Sequence, residues 1–386
     1  MALDFTVLSK AMLARHGRLR LSHGIVETPV FMPVGTQGTV KGLLPEQVSG
    51  MGYRLVLCNT YHMGHRPGYH IVQKAGGLHS FINWPYLILT DSGGFQMVSL
   101  KSLMDVSEEG VNFRSPHTGE EMVLSPEASI KIQENLGADI VMQLDHVIHV
   151  LDNGPIIQKA MERSIRWLKR CRDAHHRKDQ ALFPIIQGGL NLEFRKRCTA
   201  EMLKLTDTGI AIGGLSGGED KSSFWRTVAC CCENLPENIP RYVMGVGWPI
   251  DLVICSLLGA DMFDCVYPTR TARFGTAIVR HGGLLHLTRN EFKNDFRPID
   301  ESCSCISCQN YTRAYIHSII NQETVACHII SLHNLHHQIK LMERLRSAID
   351  SDMVEEFLKE FLSEQFPNAN IPHWVREAVA HMNYKI

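Results

Sequence analysis

Short apolar runs recur along the chain, each followed by a polar loop and several by a stretch in which apolar residues return at helical spacing. The runs are Val30–Val34, Leu55–Cys58, Leu87–Thr90, Ile140–Leu144, Leu182–Ile186, Ile210–Ile212, Tyr242–Met244 and Met262–Val266, with amphipathic stretches such as Pro155–His176 and Leu192–Leu205 between them. A parallel strand covered on both faces reads as an unbroken apolar run, and its return to the next strand needs a crossover, usually helical. Eight such units predict an α/β fold of the (β/α)8 TIM-barrel type, with a doubly wound open sheet as the alternative. Polar and glycine residues favour the barrel because they gather at the ends of the runs. Asp91 follows the third, Asp145 the fourth, Gln187 the fifth, Gly213–Gly218 the sixth and Gly245–Gly247 the seventh, and Asp264 lies in the eighth. Barrels of this kind carry their active-site loops at the C-terminal ends of the strands, so these residues are expected at one mouth.

Ahead of the barrel, residues 1–26 alternate apolar and polar around Arg15-His16-Gly17-Arg18, predicting a capping hairpin. The barrel is assigned to 27–290, a zinc-binding subdomain to 291–345 and a C-terminal helical segment to 346–386. In the subdomain, Cys303, Cys305 and Cys308 precede an amphipathic helix starting near Leu332. Three thiolates and one imidazole make a tetrahedral site with no open position, which predicts one structural zinc ion. His333 is favoured as the fourth ligand, with His317, His328, His336 and His337 also nearby. From Ile339 to Leu362 the pattern is helical, with Lys340, Arg344 and Arg346 on a face that is either solvated or able to meet phosphates; a shorter helix is expected after Pro372.

Composition narrows the function classes. A formal net charge of -1 means that any nucleic-acid contact must come from local basic patches rather than global charge. The 12 cysteines are scattered, with Cys230, Cys231 and Cys232 adjacent, which suits a reducing compartment. No apolar run reaches the length of a bilayer, and residues 1–5 lack a leader pattern, so cytoplasmic residence without a transmembrane segment is expected. Most chemistry is concentrated in Asp261–Gly275, where an apolar strand carries Asp264, turns at Pro268 and then offers Arg270 and Arg273. That order suggests a carboxylate nucleophile beside an anionic substrate; the other reading is a structural aspartate and two solvated arginines.

Asp91-Ser92-Gly93-Gly94-Phe95-Gln96, Gln187-Gly188-Gly189, Gly213-Gly214-Leu215-Ser216-Gly217-Gly218-Glu219, Gly245-Val246-Gly247, Asp261-Met262-Phe263-Asp264 with Pro268-Thr269-Arg270, and the Cys-x-Cys-x2-Cys triplet occur in this order over nearly the whole chain. Together they resemble the tRNA-guanine transglycosylases. The resemblance implies a zinc-containing barrel that exchanges guanine at the wobble position of tRNAs with a GUN anticodon for a 7-deazaguanine base, by double displacement. Asp264 matches the nucleophile and Asp91 the proton-shuttling carboxylate. Asp91, Ser92, Gly93, Gly94, Phe95, Asp145, Gln187, Gly214 and Met244 match the base pocket, with Phe95 and Met244 sandwiching the base. Gly245, Val246, Gly247, Trp248, Pro249, Ile250 and Asp251 match an RNA-contacting turn. Tyr267, Pro268, Thr269, Arg270, Thr271 and Arg273 match the loop that holds the nucleotides around the wobble base.

Two positions look eukaryotic. Gly217 stands where bacterial relatives usually have Val, leaving room for the cyclopentenediol group of queuine, and Val147 stands where they commonly have Cys. The implied partners are then queuine and a non-catalytic paralogous subunit, joined as a heterodimer through the zinc subdomain and nearby surface. That partner could also bring peripheral association with the mitochondrial outer membrane. Asp91 and Asp264 favour the catalytic subunit over the accessory one. An enzyme using the bacterial precursor base, and a zinc-ribbon binding module on an inert barrel, are the remaining alternatives. Two departures from the family pattern are His146 after Asp145, where a second acid is usual, and Trp248-Pro249 in the glycine turn.

Overall fold

A computed structural model describes residues 3–94, 104–114 and 121–386. Eight parallel units form the sheet: Val30–Gly35, Leu55–Cys58, Leu87–Thr90, Ile140–Met142, a fifth in two pieces (Ala181–Phe183 and Ile185–Ile186), Ile210–Ile212, Arg241–Val243 and Met262–Cys265. The first strand pairs with both the second and the eighth, with Val30 opposite Met262 and Val34 opposite Leu57. Closure runs through the fifth strand. Pro184 has no N–H and interrupts the ladder, yet its carbonyl accepts from Ala211 N at 2.8 Å. The piece before it therefore pairs with the fourth strand and the piece after it with the sixth.

Alternation along each strand separates two layers. Met32, Leu57, Leu89, Met142, Phe183, Ile185, Ala211, Tyr242 and Met262 pack together inside the barrel. Phe31, Val56, Ile88, Val141, Leu182, Ile186, Ile212, Val243 and Phe263 belong to the outer core beneath the helices. The interior is thus a packed core, and only the strand ends can carry chemistry.

The predicted hairpin is a three-stranded antiparallel sheet, Asp4–Ala11, Ala14–Leu21 and Gly24–Thr28, whose last strand passes residue 26. Gly24 makes the extra turn at φ 133°, a conformation that side chains rarely adopt. Phe5, Leu19, Leu21 and Val26 join the inner barrel cluster, so this sheet plugs the end opposite the polar mouth. Arg15 fastens it. Its Nε donates to Asp261 Oδ1 at 2.9 Å, its Nη1 to Glu237 O at 2.8 Å and its Nη2 to Ile239 O at 2.7 Å. Asp261 in turn accepts from Arg241 N at 2.7 Å, and its carbonyl accepts from Val30 N at 2.8 Å. One ion pair thus joins the plug to the seventh, eighth and first strands.

Between the third and fourth units lies a small antiparallel sheet, Met104–Val106, Val111–Arg114 and Glu121–Leu124. Beyond the eighth strand come the helix Tyr267–Arg273, the antiparallel pair Thr276–Val279 and Gly283–His286, and the long helix Thr324–Asp350, which crosses the 345/346 boundary. Asn334 on this helix donates to Pro268 O at 2.9 Å and Thr276 O at 3.1 Å and accepts from Ile278 N at 2.8 Å. The subdomain is therefore riveted to the loop that follows Asp264.

The helical pattern expected from Ile339 to Leu362 is two helices, Thr324–Asp350 and Val354–Gln365, parted where Asp352 takes φ 54°. The basic face is not a free phosphate surface. Lys340 pairs with Glu343, Arg344 with Glu360 and Glu364, and Arg346 Nη1 donates to Pro29 O at 2.7 Å. The helix expected after Pro372 is His373–His381. Among the described residues no helix is long and apolar enough to cross a membrane.

Candidate active site

Inner-face parity carries most of the polar residues to one mouth. Asp91 follows Leu87 and Leu89, Gln187 follows Phe183 and Ile185, Met244 follows Tyr242, and Asp264 follows Met262, each two positions beyond an inward-facing residue. Asp145 arrives differently. Met142 lies in the inner cluster and Leu144 in the outer one, so alternation breaks at Gln143 and the next residue, Asp145, points inward. Gln143 is tied at the break, with its Oε1 accepting from Ile185 N at 3.1 Å and its Nε2 donating to Ser164 O at 3.0 Å.

Three carboxylates share this mouth in different settings. Half-buried Asp91 accepts from Thr60 N at 2.8 Å and Gly93 N at 3.2 Å, and also from the Asn59 side chain. Burial pushes its carboxyl up to about 7; the Thr60 and Gly93 amides pull it down, while Asp264 and Asp145 add repulsion. A carboxyl poised there can give and take a proton near neutral pH. Buried Asp145 accepts from Gln187 Nε2 at 2.6 Å and Ser92 Oγ at 3.1 Å, and burial raises it to about 6 against those two bonds. Asp264 accepts from Tyr242 OH at 2.5 Å and Gly245 N at 2.9 Å at the same oxygen, Oδ1. Burial raises it too, opposed by those bonds.

Glycines let the backbone approach these groups. A Cβ on Gly94 would stand 2.8 Å from Asp145 Oδ1, and one on Gly214, at φ 67°, would stand 2.5 Å from Gln187 Oε1. Asp145, Gln187, Ser92, Gly94 and Gly214 thus form one cradle, with half-buried Met244 beside it. A Cβ on Gly217 would meet Val150 Cγ1 at 3.0 Å. Phe95 lies outside the described residues.

The expected RNA-facing segments divide by exposure. In the turn after the seventh strand, Val246, Gly247, Pro249 and Asp251 are buried, and Asp251 pairs with Lys221. Gly245 and Trp248 face solvent and Ile250 is half-buried; the Trp248 ring is stacked on Tyr267 with centroids 4.7 Å apart. Tyr267, Pro268 and Thr269 are buried and Thr271 is half-buried, whereas Arg270 and Arg273 are exposed beside Phe274, which is 74% exposed.

Behind this loop, one ligand atom from each of Cys303, Cys305, Cys308 and His333 lies within 4.8 Å of the others, an arrangement able to hold a metal ion. Cys308 Sγ and Cys305 Sγ are 3.3 and 3.6 Å from His333 Nδ1. His333 Nε2 lies 2.8 Å from Ile278 O; donating there leaves Nδ1 unprotonated and able to ligate a metal ion. Of the other histidines, His317 lies 2.8 Å from Leu287 O and His328 packs on Gly42. A second group, His23, His79 and Asp139, lies at the plugged end, where its carboxylate oxygens also accept from His23 N and Ile88 N. Those bonds tie the plug to the strand starts.

His146 does not enter the cradle. Burial and the nearby Arg163 push its imidazole down to about 4, and its Nδ1 lies 3.1 Å from Arg163 Nη1, so it is neutral at pH 7. Three further residues belong to the site although the sequence reading passed them by: Asn59, Thr60 and Tyr242. Asn59 and Thr60 follow the second strand, and the strand-end rule that found Asp91 also reaches them. Tyr242 reads as an apolar strand residue, and only its parity with Asp264 across neighbouring strands betrays its role.

A family model described as "Queuine tRNA-ribosyltransferase" matches residues 10–367. The chain is 63% identical over 396 aligned positions to the queuine tRNA-ribosyltransferase catalytic subunit of Caenorhabditis elegans, covering 99% of each protein. It is 48% identical to the catalytic subunit of Schizosaccharomyces pombe, over 99% of this chain and 97% of that one. With the queuine tRNA-ribosyltransferase of Staphylococcus aureus it shares 46% identity, over 93% of this chain and 95% of that protein.

Proposed function

The chain belongs to the queuine tRNA-ribosyltransferase family, and from that membership we propose that it exchanges wobble guanine for queuine in tRNAs with a GUN anticodon through a covalent Asp264–ribosyl intermediate. One observation carries the reading: two carboxylates of distinct surroundings, Asp264 and Asp91, share a mouth with the Asp145–Gln187 cradle. In the first displacement an Asp264 oxygen attacks ribose C1′, the glycosidic bond breaks with its electron pair moving to guanine, and Asp91 supplies the departing base with a proton. In the second, the incoming base gives its ring N–H proton to Asp91, its nitrogen attacks C1′, and the ester pair returns to Asp264. Two inversions at one carbon retain its configuration.

The cradle suits a purine edge. Asp145 can accept from the amidine-like side of guanine or queuine, while Gln187 and the backbone near Gly214 can donate to its carbonyl. Phe95 and Met244 complete the pocket by sandwiching the flipped base. Exposed Arg270, Arg273 and Trp248 take the flanking nucleotides. The missing side chain at Gly217 leaves room for the cyclopentenediol of queuine.

The experiment is incorporation of labelled queuine into tRNA with guanine at the wobble position, using this chain alone and with its paralogous partner. The wild-type pair incorporates label. Asp145→Asn, which replaces an acceptor with a donor against the base edge, lowers kcat/KM for queuine about 100-fold. Unchanged kcat/KM in that variant removes Asp145 from recognition.

The Cys3His group is proposed to hold one structural zinc ion, supplying cross-links among the cysteine loop and the long helix and no chemistry at the mouth. Because Asn334 on the same helix grips Pro268 and Thr276, its loss acts on the RNA-holding loop. Cys308→Ser is expected to bind less than stoichiometric zinc and to melt about 5–10 °C lower, with tRNA KM rising before base binding changes. Metal analysis and melting curves check this; a metal-poor variant with wild-type melting would rule out a structural role. The partner is proposed to be a non-catalytic paralog, because two of the relatives are themselves named catalytic subunits. Cytoplasmic residence, with any contact to the mitochondrial outer membrane made through that paralog, completes the proposal.

A further inference from the structure

We propose that Tyr242 is a positioning residue that, with the Gly245 amide, clamps one oxygen of Asp264 and reserves the other for attack on ribose C1′. The inference rests on the reading of Asp264 as the nucleophile. Both donors converge on Oδ1, the Tyr242 hydroxyl at 2.5 Å and Gly245 N at 2.9 Å. Among the described residues no hydrogen bond reaches Oδ2.

The setting of Tyr242 explains why a hydroxyl is there. Its ring is fully buried in the inner barrel layer with Met32, Leu57, Leu89 and Met142, whose side chains offer a phenol no strong acceptor. A buried hydroxyl without a partner is destabilising, so a phenylalanine would satisfy packing and only the bond to Asp264 justifies the oxygen. The geometry is preset. Tyr242 stands opposite Met262 in the parallel ladder, so its side chain and that of Asp264, two residues on, share the inner face.

The clamp acts in both half-reactions. As Oδ2 forms its bond to C1′, Oδ1 becomes the ester carbonyl and keeps both donors without reorganisation. As the Oδ2–C1′ bond breaks, its electron pair returns to the carboxylate, and the same two bonds strengthen as charge develops. The groups facing Asp264 are Tyr242 on the seventh strand, Asp91 after the third and Cys265 beside it. Of these, Tyr242 is the one that opposes the effect of burial, alongside the Gly245 amide.

The test is Tyr242→Phe, assayed with the partner as a pH profile of kcat. Expected are a kcat lowered about 10–100-fold at pH 7, KM values for tRNA and base within about twofold, and an acid limb moved up by roughly half a unit or more. Melting should stay close to wild type, because the ring is retained. Should the variant melt early, 3,5-difluorotyrosine at position 242 keeps the shape and strengthens the donor, and it must move the acid limb down. Wild-type kcat with an unmoved limb in either protein overturns the clamp. Asp264→Ala in the same assay separates the two ideas: exchange that survives it defeats the nucleophile, whereas its loss together with an unaffected Tyr242→Phe defeats only the clamp.

Discussion

Asp264→Ala is expected to lower base exchange by about 10⁴-fold or more and to abolish the covalent tRNA–protein adduct. The size follows from what is removed. A double displacement has no lower-energy route once its nucleophile is gone, because Asp91 is held by Thr60, Gly93 and Asn59 and cannot take over the attack. Asp264→Asn isolates charge from shape: its amide oxygen can still accept from Tyr242 and Gly245, so the loop stays in place while nucleophilicity is lost. Both variants should bind tRNA with near wild-type affinity. Exchange is read with labelled base and the adduct as a retarded band on a denaturing gel. An adduct persisting in either variant would place the nucleophile elsewhere.

Arg15→Ala is expected to destabilise the fold by about 3–5 kcal/mol, the usual range when one member of a buried ion pair is deleted. The Asp261 carboxylate would remain fully buried without its partner, and the carbonyls of Glu237 and Ile239 would lose their donor. At this chain length that corresponds to a fall in Tm of roughly 4–6 °C. The pair itself need not be strongly favourable. Arg15→Met combined with Asp261→Leu should regain part of the loss, since no charge is then stranded. Urea unfolding followed by fluorescence decides the matter; a single-variant loss under about 1 kcal/mol would show that water reaches Asp261.

The barrel was legible because its strands are buried on both faces. All eight apolar runs hold strands, and strand-end parity leads directly to Asp91, Gln187 and Asp264. Long-range causes were not legible. The fourth strand stops at Met142 because Gln143 bonds to the neighbouring strand and to Ser164 on the helix Pro155–Ala174 that follows, a tertiary effect without a local signature. Tyr242 looked like core because its ring is core; its hydroxyl gains meaning only from the adjacent strand. In the turn after the seventh strand, Val246 and Asp251 could not be told from their exposed neighbours, since Val246 joins the outer core and Asp251 pairs with Lys221 on another element. The charges at Arg344 and Arg346 looked free because their partners, Glu360, Glu364 and the Pro29 carbonyl, lie in other elements.

The plug has a consequence for how the protein is made. It is translated well before its partners: His16 meets Asp350 334 residues later, and the Ala11 carbonyl accepts from Tyr384, 373 residues later. At ordinary elongation rates these partners leave the ribosome on the order of tens of seconds after the plug does. During that interval Leu19, Leu21, Val30 and Met32 have no complete core to enter. The nascent chain therefore carries exposed apolar surface through that interval, and a premature stop near the last helices should weaken the plug as well as remove the tail.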